Sequence, residues 1–127
     1  MTMIKRQRPL HDEVDSSRVS EPLSYVVTAT LCDQSDAERY IEWLKRGHVQ
    51  AVLKWASRAE IVLLDSPSHM HTGDVHVQSA YLFEDRAAFQ RYEEEGAPQL
   101  RAEGIEFAKS LARIEFKRSI GAVLYVS

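Results

Sequence analysis

His48 is the residue of this sequence best suited to acid–base chemistry, because it interrupts an otherwise apolar helical stripe. It follows Leu44 by four residues and precedes Val52 by four, so all three fall on one face of a helix. A histidine held against a sheet can act as a general base near neutral pH, provided that a carboxylate or carbonyl orients its second ring nitrogen. The alternative is a core histidine whose hydrogen bonds are satisfied.

Three aromatic residues are candidates for the walls of a flat binding pocket. Trp43 belongs to the same helical stretch as His48, and Tyr25 and Tyr81 lie in stretches with strand character. Rings at such positions can line an apolar cavity for an aromatic or quinone-like ligand. The alternative is plain core packing, the more common role of aromatic residues on helices and strands.

A second set of candidates is polar and lies on the alternate faces of two predicted strands. His76 and Gln78 share one face of the third strand, and Arg113 and Glu115 share one face of the last. If these faces meet inside a barrel, Arg113 can pair with an acidic ligand. The alternative is a hydrated dimer interface with internal ion pairs.

His69, His71 and His76 are spaced so that their imidazole nitrogens can also bind zinc or copper. Two of the three fall in a Ser/Gly loop, where unconstrained surface histidines are common, and Asp74 is the only adjacent carboxylate. The chain also has no glycine-rich phosphate loop, no Gly-x-Ser-x-Gly elbow and no zinc-protease signature. We therefore predict neither a metal nor another cofactor.

The composition, with 44% hydrophobic and 28% charged residues, is that of an ordinary one-domain globular protein. The net charge of −3, with both signs interspersed, argues against nucleic acid as a partner, because phosphate binding requires a concentrated excess of Lys and Arg. Cys32 is the single cysteine, which excludes an intramolecular disulfide and favours a reducing compartment. No apolar run approaches the ~20 residues that span a bilayer, and the first ten residues lack the apolar stretch of a secretory signal. We expect a cytoplasmic protein without membrane contact.

Hydrophobic periodicity divides the chain into a polar extension, residues 1–22, and one domain, residues 23–127. The predicted strands are 23–32, 58–65, 75–84 and 111–126 (bent near Gly121), and the predicted helices are 37–55 (kinked near Gly47) and 85–107 (interrupted at 96–98). This β-α-β-β-α-β order predicts an α+β, ferredoxin-like fold, in which both helices cover one face of a four-stranded antiparallel sheet.

The uncovered face of that sheet predicts self-association. Large exposed apolar surfaces are uncommon on monomers, and the uncharged run 120–126 would invite uncontrolled pairing as a free edge. A two-fold homodimer is the simplest closed solution. The alternative is a monomer whose own tail covers the open face.

Two stretches carry a resemblance to a known family: WLKRGHVQAVL at 43–53 and YLFEDRAAFQRYEEEGAPQLRAEG at 81–104. With a strand before each, they resemble a family of uncharacterised function within the dimeric alpha-beta barrel superfamily, over about residues 24–118. The resemblance implies two sheets packed face to face across a dimer. The wider superfamily includes cofactor-independent monooxygenases, small-ring isomerases and dehydrochlorinases, so no single reaction is implied. Gly47 and the insertion at 68–74 depart from the family's pattern.

Two functional hypotheses follow from the residues and the resemblance. The first is a cofactor-independent enzyme of monooxygenase, isomerase or lyase type that acts on an aromatic or apolar organic acid between sheet and helices. In it His48 accepts a proton and Trp43, Tyr25 and Tyr81 line the pocket. The second is a non-catalytic homodimeric module that binds a ligand or a protein.

Overall fold

The computed structural model describes residues 20–65 and 73–127 as a four-stranded antiparallel sheet with helices on one face. The elements in chain order are β1 (Leu23–Leu31), α1 (Gln34–Trp43), a π-helical turn (Leu44–His48), α2 (Val49–Val52), β2 (Arg58–Leu63), β3 (Val75–Phe83), α3 (Arg86–Glu95), α4 (Ala97–Ala108) and β4 (Ile114–Ala122). His69, His71 and nearly all of the predicted extension 1–22 lie outside the described residues.

The sheet confirms the predicted β-α-β-β-α-β order, with strands arranged β2-β3-β1-β4. β1 is central and pairs antiparallel with both β3 and β4, so that Tyr25 lies opposite Tyr81 on one side and opposite Ile120 on the other. Because successive side chains on a strand point to opposite faces, this register places these three side chains together on the helix-covered face.

An aromatic cluster forms the centre of the core between the sheet and α3. The ring of Phe89 lies 5.2 Å from that of Phe83 and 5.3 Å from that of Tyr25, and Tyr92 lies 5.5 Å from Phe83. All four side chains are buried. Burial of each ring contributes about 1.5–3 kcal/mol, so this cluster holds α3 on the sheet.

Aspartate side chains begin both long helical segments. The Asp33 carboxylate accepts a hydrogen bond of 2.8 Å from the backbone N–H of Asp36, and Asp85, the predicted cap, accepts one of 2.9 Å from Ala88. These bonds satisfy backbone donors that the first helical turn leaves without a partner.

Both helical segments are interrupted where glycine was expected to interrupt them. Gly47 has a φ of 147° within the π-helical turn, a conformation that residues with a Cβ rarely adopt. Gly96 separates α3 from α4 and lies against Trp55, whose ring would be 2.5 Å from an added Cβ. Pro98 occupies the first turn of α4, as predicted.

The last strand is shorter than predicted. β4 ends at Ala122, and Val123 then donates a backbone hydrogen bond of 2.8 Å to the carbonyl of Pro22. The side chains of Leu124, Tyr125 and Val126 follow, with 62%, 83% and 79% of their surfaces exposed. Among the described residues no helix has the length and apolar character needed to cross a bilayer.

Gly47→Ala is expected to destabilise the protein by about 1 kcal/mol or more, because the added Cβ strains the positive-φ backbone. The position is otherwise open, with no atom near the added Cβ, so a steric clash cannot account for the loss. Gly121→Ala is the matched control, with equally open surroundings and no positive φ; it should change stability by less than about 0.5 kcal/mol. Urea unfolding followed by circular dichroism measures both, and equal stability of the two variants would contradict the account.

Candidate functional site

A cavity of about 300 Å³ lies between the sheet and the helices. Its sheet wall consists of side chains from β1, β3 and β4, and its helical wall comes from α1, the π-helical turn, α3 and α4. The lining residues are Tyr25, Val27, Ser79, Tyr81, Phe116 and Arg118 from the sheet, and Tyr40, Trp43, His48, Tyr92, Leu100, Arg101, Gly104 and Ile105 from the helices.

Strand register assembles the sheet wall. Val27 lies opposite Ser79 on β3 and Arg118 on β4, two positions along β1 from Tyr25. Side chains two residues apart on a strand share a face, so the residues of the three strands point into the same space. The polar members of this wall, Ser79 and Arg118, therefore lie among aromatic rings.

The break at Gly47 positions His48 on the helical wall. The imidazole ring stacks on Trp43, with ring centres 4.4 Å apart and planes inclined by 26°, and Trp43 stacks in turn on Phe107 at 5.0 Å. The π-helical turn joins α1 and α2 and leaves His48 at the cavity surface.

The electrostatic surroundings of His48 favour its neutral form. Burial lowers the pKa of His48 below its ordinary value, and the nearby carboxylate of Glu103 offsets part of that decrease. Its Nδ1 is buried and has no hydrogen-bond partner within residues 20–65 and 73–127. A neutral imidazole with a nitrogen unoccupied by the described residues can accept a proton or a hydrogen bond.

Two arginines meet at one tyrosine in this cavity. Arg118 donates from Nε to the Tyr25 hydroxyl oxygen at 3.1 Å, and Arg101 donates to the same oxygen at 3.5 Å. Arg101 also forms an ion pair of 3.1 Å with Glu93. Sequence reasoning did not identify either arginine, although the position of Arg118 between Phe116 and Ile120 on an apolar strand face was an available signal.

Three tyrosines of the cavity, Tyr40, Tyr81 and Tyr92, stay protonated at neutral pH. Burial raises the pKa of Tyr81 to about 12, and burial is also the main cause of the raised pKa values of Tyr40 and Tyr92. Hydrogen bonding to Ser79 offsets part of the rise for Tyr40 and Tyr81. These hydroxyls are therefore neutral hydrogen-bonding groups.

The structure groups the predicted site residues into two separate sets. His48, Trp43, Tyr25 and Tyr81 all line the cavity. His76, Gln78 and Arg113 do not. His76 and Gln78 point to the opposite face of the sheet, where Nδ1 of His76 lies 3.0 Å from the hydroxyl of Thr30. Arg113 lies just before β4 and pairs with Asp74 at 2.9 Å.

Side chains that can bind metals converge at the end of β1. Cys32, Asp33 and Asp36 place ligand atoms within 4.8 Å of one another. Asp36 already accepts a hydrogen bond of 3.0 Å from the backbone of Ala112 and lies 3.7 Å from Arg39, while Asp33 caps α1. Both carboxylates therefore already have structural roles, in capping α1 and in holding the backbone before β4.

Comparison with family models decides the classification of the chain. A model described as a domain of unknown function, DUF4286, matches residues 23–116. The chain belongs to the DUF4286 family. This agrees with the predicted resemblance to an uncharacterised family of the dimeric alpha-beta barrel superfamily. None of the curated proteins is significantly similar to the sequence.

Solved structures share the fold at low sequence identity. A dimeric ferredoxin-like protein from an uncultured marine organism has a TM-score of 0.68 at 14% identity, over 84% of this chain and 99% of that one. An ethyl tert-butyl ether (EthD) family protein of Bacillus halodurans has a TM-score of 0.55 at 12% identity, over 80% and 99%. A Bacillus cereus protein provisionally described as an antibiotic biosynthesis monooxygenase has a TM-score of 0.52 at 10% identity, over 84% and 99%. Such identities establish the ferredoxin-like fold alone.

His48→Gln is expected to make the protein less sensitive to acid. Because burial lowers the pKa of His48 in the folded state, the unfolded chain binds a proton near its ordinary pKa of about 6.5, before the folded chain does. The stability that His48 contributes as a neutral residue is thus present above that pH and is lost as the pH falls below it, by at most about 1.4 kcal/mol per pH unit.

Urea unfolding at pH 7, 6 and 5 measures this difference. The stability gap between wild type and His48→Gln should shift in favour of the variant as the pH falls. Lys54→Gln replaces an exposed residue and should keep a constant gap. A gap that is the same at all three pH values for His48→Gln would show that His48 titrates alike in the folded and unfolded chains.

Proposed function

We propose that this protein is a cofactor-independent small-molecule enzyme whose cavity binds an aromatic or apolar organic acid and in which His48 accepts a proton from it. The observation that supports this most directly is the buried Nδ1 of His48, a residue that lines the cavity, because this atom has no hydrogen-bond partner in the described structure. Buried polar atoms normally have partners, so a ligand is a natural candidate to supply this one.

The dimensions and walls of the cavity support a small planar ligand. Its volume of about 300 Å³ is at the lower end of the range for ligand pockets. Trp43 stacks on both His48 and Phe107, and Tyr25 and Tyr81 stack at 6.0 Å on the sheet wall. Rings fixed in this way bind another planar group without losing much conformational freedom.

The chemistry available to these residues is proton transfer. A neutral imidazole removes a proton from an acidic carbon or hydroxyl of the ligand, and the electron pair then stays on the ligand. Return of the proton at another atom gives an isomerisation, and departure of a leaving group gives an elimination. The protonated tyrosines can donate hydrogen bonds to a developing oxyanion.

A non-catalytic binding module is the second candidate. One observation favours it: no carboxylate or carbonyl within the described residues orients the His48 ring by accepting a hydrogen bond from its other nitrogen, Nε2, whereas catalytic histidines commonly have such an orienting partner. In this case His48 would bind the ligand by a hydrogen bond and by stacking beside Trp43.

Proton exchange separates the two candidates without knowledge of the natural substrate. Phenylpyruvate is a suitable probe, because it is an aromatic acid with an exchangeable C–H group beside its carbonyl. The enzyme hypothesis predicts that the protein accelerates deuterium uptake at this carbon in D₂O, followed by NMR. His48→Gln should reduce the acceleration by at least ~10²-fold, the scale of general base catalysis.

Arg46→Gln is the matched control, because Arg46 belongs to the same turn but is exposed and pairs with Glu42; its exchange rate should equal that of the wild type. Saturation of the protein with phenylpyruvate, without any acceleration, would favour the non-catalytic module. Absence of both binding and exchange would count against an aromatic-acid pocket.

We also propose that two copies of the chain form a homodimer through the open faces of their sheets. This face carries Val26 at its centre, opposite Ala80 on β3 and Ser119 on β4, with Leu82 nearby. No helix within the described residues covers it. Burial of such a partly apolar face against a second copy removes it from water, and the marine structural relative with the same fold is described as dimeric.

Val26→Glu is expected to convert the dimer to a monomer, because it places a charge at the centre of the buried face. Sedimentation velocity at several concentrations measures the change. Gln50→Glu adds the same charge at an exposed position of α2 and should leave the dimer intact. A wild-type protein that sediments as a monomer at all concentrations would refute the proposed assembly.

A further inference from the structure

Arg118 is a positive charge without a compensating carboxylate in the described part of the chain. It forms no ion pair there; its contacts are the hydrogen bond to the Tyr25 hydroxyl at 3.1 Å and the Phe116 ring, whose centre lies 5.7 Å from its guanidinium carbon. Arg101, in contrast, pairs with Glu93 at 3.1 Å. The three charged groups around the Tyr25 hydroxyl, Arg118, Arg101 and Glu93, therefore sum to one excess positive charge.

The two guanidinium groups are also close to each other. Both donate to the same oxygen atom of Tyr25, so their N–H groups surround one point at the sheet wall. Nε of Arg101 is buried and donates to no acceptor in the described structure. Planar guanidinium groups bind carboxylates through paired N–H donors, which is the strongest kind of hydrogen bond available to a carboxylate in a protein.

From this geometry we infer that Arg118 and Arg101, held by the Tyr25 hydroxyl, form a subsite for one carboxylate, so that the protein binds flat aromatic monocarboxylates and discriminates against neutral and doubly charged analogues. The inference rests on the proposed pocket and adds the group that binds the acid. Arg118 and Arg101 thus take the role that the sequence analysis gave to Arg113. Arg113 itself pairs with Asp74 outside the cavity.

The positions of the arginines are determined before any ligand arrives. Arg118 is held by Tyr25 and Phe116, and Arg101 by Tyr25 and Glu93. Groups fixed in this way lose little freedom on binding. A neutral ligand would cover Arg118 without compensating its charge. A dianion would bring a second charge, and the described lining residues offer no further unpaired cation to match it.

Isothermal titration calorimetry with three naphthalenes of equal ring size tests the inference. The probes are 2-naphthoate, 2-naphthalenemethanol and 2,6-naphthalenedicarboxylate. We expect 2-naphthoate to bind at least ~10-fold more tightly than either of the others, since a hydrogen-bonded charge pair commonly contributes this much or more. Its affinity should also fall as salt is raised, while that of the alcohol should not.

Arg118→Met tests the residue itself, because methionine keeps an unbranched apolar side chain but has no charge. This variant should lose at least ~10-fold in affinity for 2-naphthoate and bind the alcohol at least as well as the wild type does. Arg91→Met removes an exposed arginine of α3 and should change neither affinity. If Arg118→Met melts at a much lower temperature, Arg118→Gln provides the same test, since it also removes the charge but keeps a polar side chain that can donate to the Tyr25 hydroxyl.

The outcomes distinguish this inference from the proposed function. Equal binding of 2-naphthoate and the alcohol, or unchanged 2-naphthoate affinity in the Arg118 variants, would refute the carboxylate subsite and leave the aromatic pocket standing. Tightest binding of the dicarboxylate would refute the charge argument. Failure of all three probes to bind would refute the pocket together with the subsite.

Discussion

The register of β1 between β3 and β4 is the constraint on which the rest of the structure depends. It sets Tyr25 opposite Tyr81 and Ile120, and Val27 opposite Ser79 and Arg118. A one-residue shift of β3 or β4 along β1 would turn all side chains of the shifted strand to the other face. The aromatic core, the cavity and the convergence of two arginines on Tyr25 all require this one alignment.

The two faces of the sheet differ in the side chains that they carry. The helix-covered face combines a close-packed aromatic cluster around Phe83 and Phe89 with a cavity that is lined by rings but contains charged groups. The opposite face carries a mixture of half-buried apolar and polar side chains, which suits association with another sheet better than a dry core. The proposed ligand site and the proposed dimer interface therefore lie on opposite faces of the same sheet.

Helix interruption contributes to the site as much as helix formation does. An uninterrupted helix through residues 37–55 would continue the apolar stripe evenly, whereas the positive φ of Gly47 allows the chain to change direction immediately before His48. The stacking of His48 on Trp43 then fixes the ring without a hydrogen bond from residues 20–65 or 73–127 to Nδ1. A side chain held by packing alone keeps its polar atom available, which is the property that the proposed function uses.

Local patterns in the sequence were sufficient to predict the order of strands and helices, the Asp85 cap and the break near Gly47, because each depends on residues close along the chain. The same patterns could not reveal Arg101 and Arg118 as cavity residues, nor that Arg113 is engaged by Asp74. Those assignments depend on contacts between residues far apart in the chain, such as the hydrogen bond from Arg118 to Tyr25, and periodicity within one segment carries no information about them. Only strand pairing and the packing of α4 on the sheet decide which charges share a cavity.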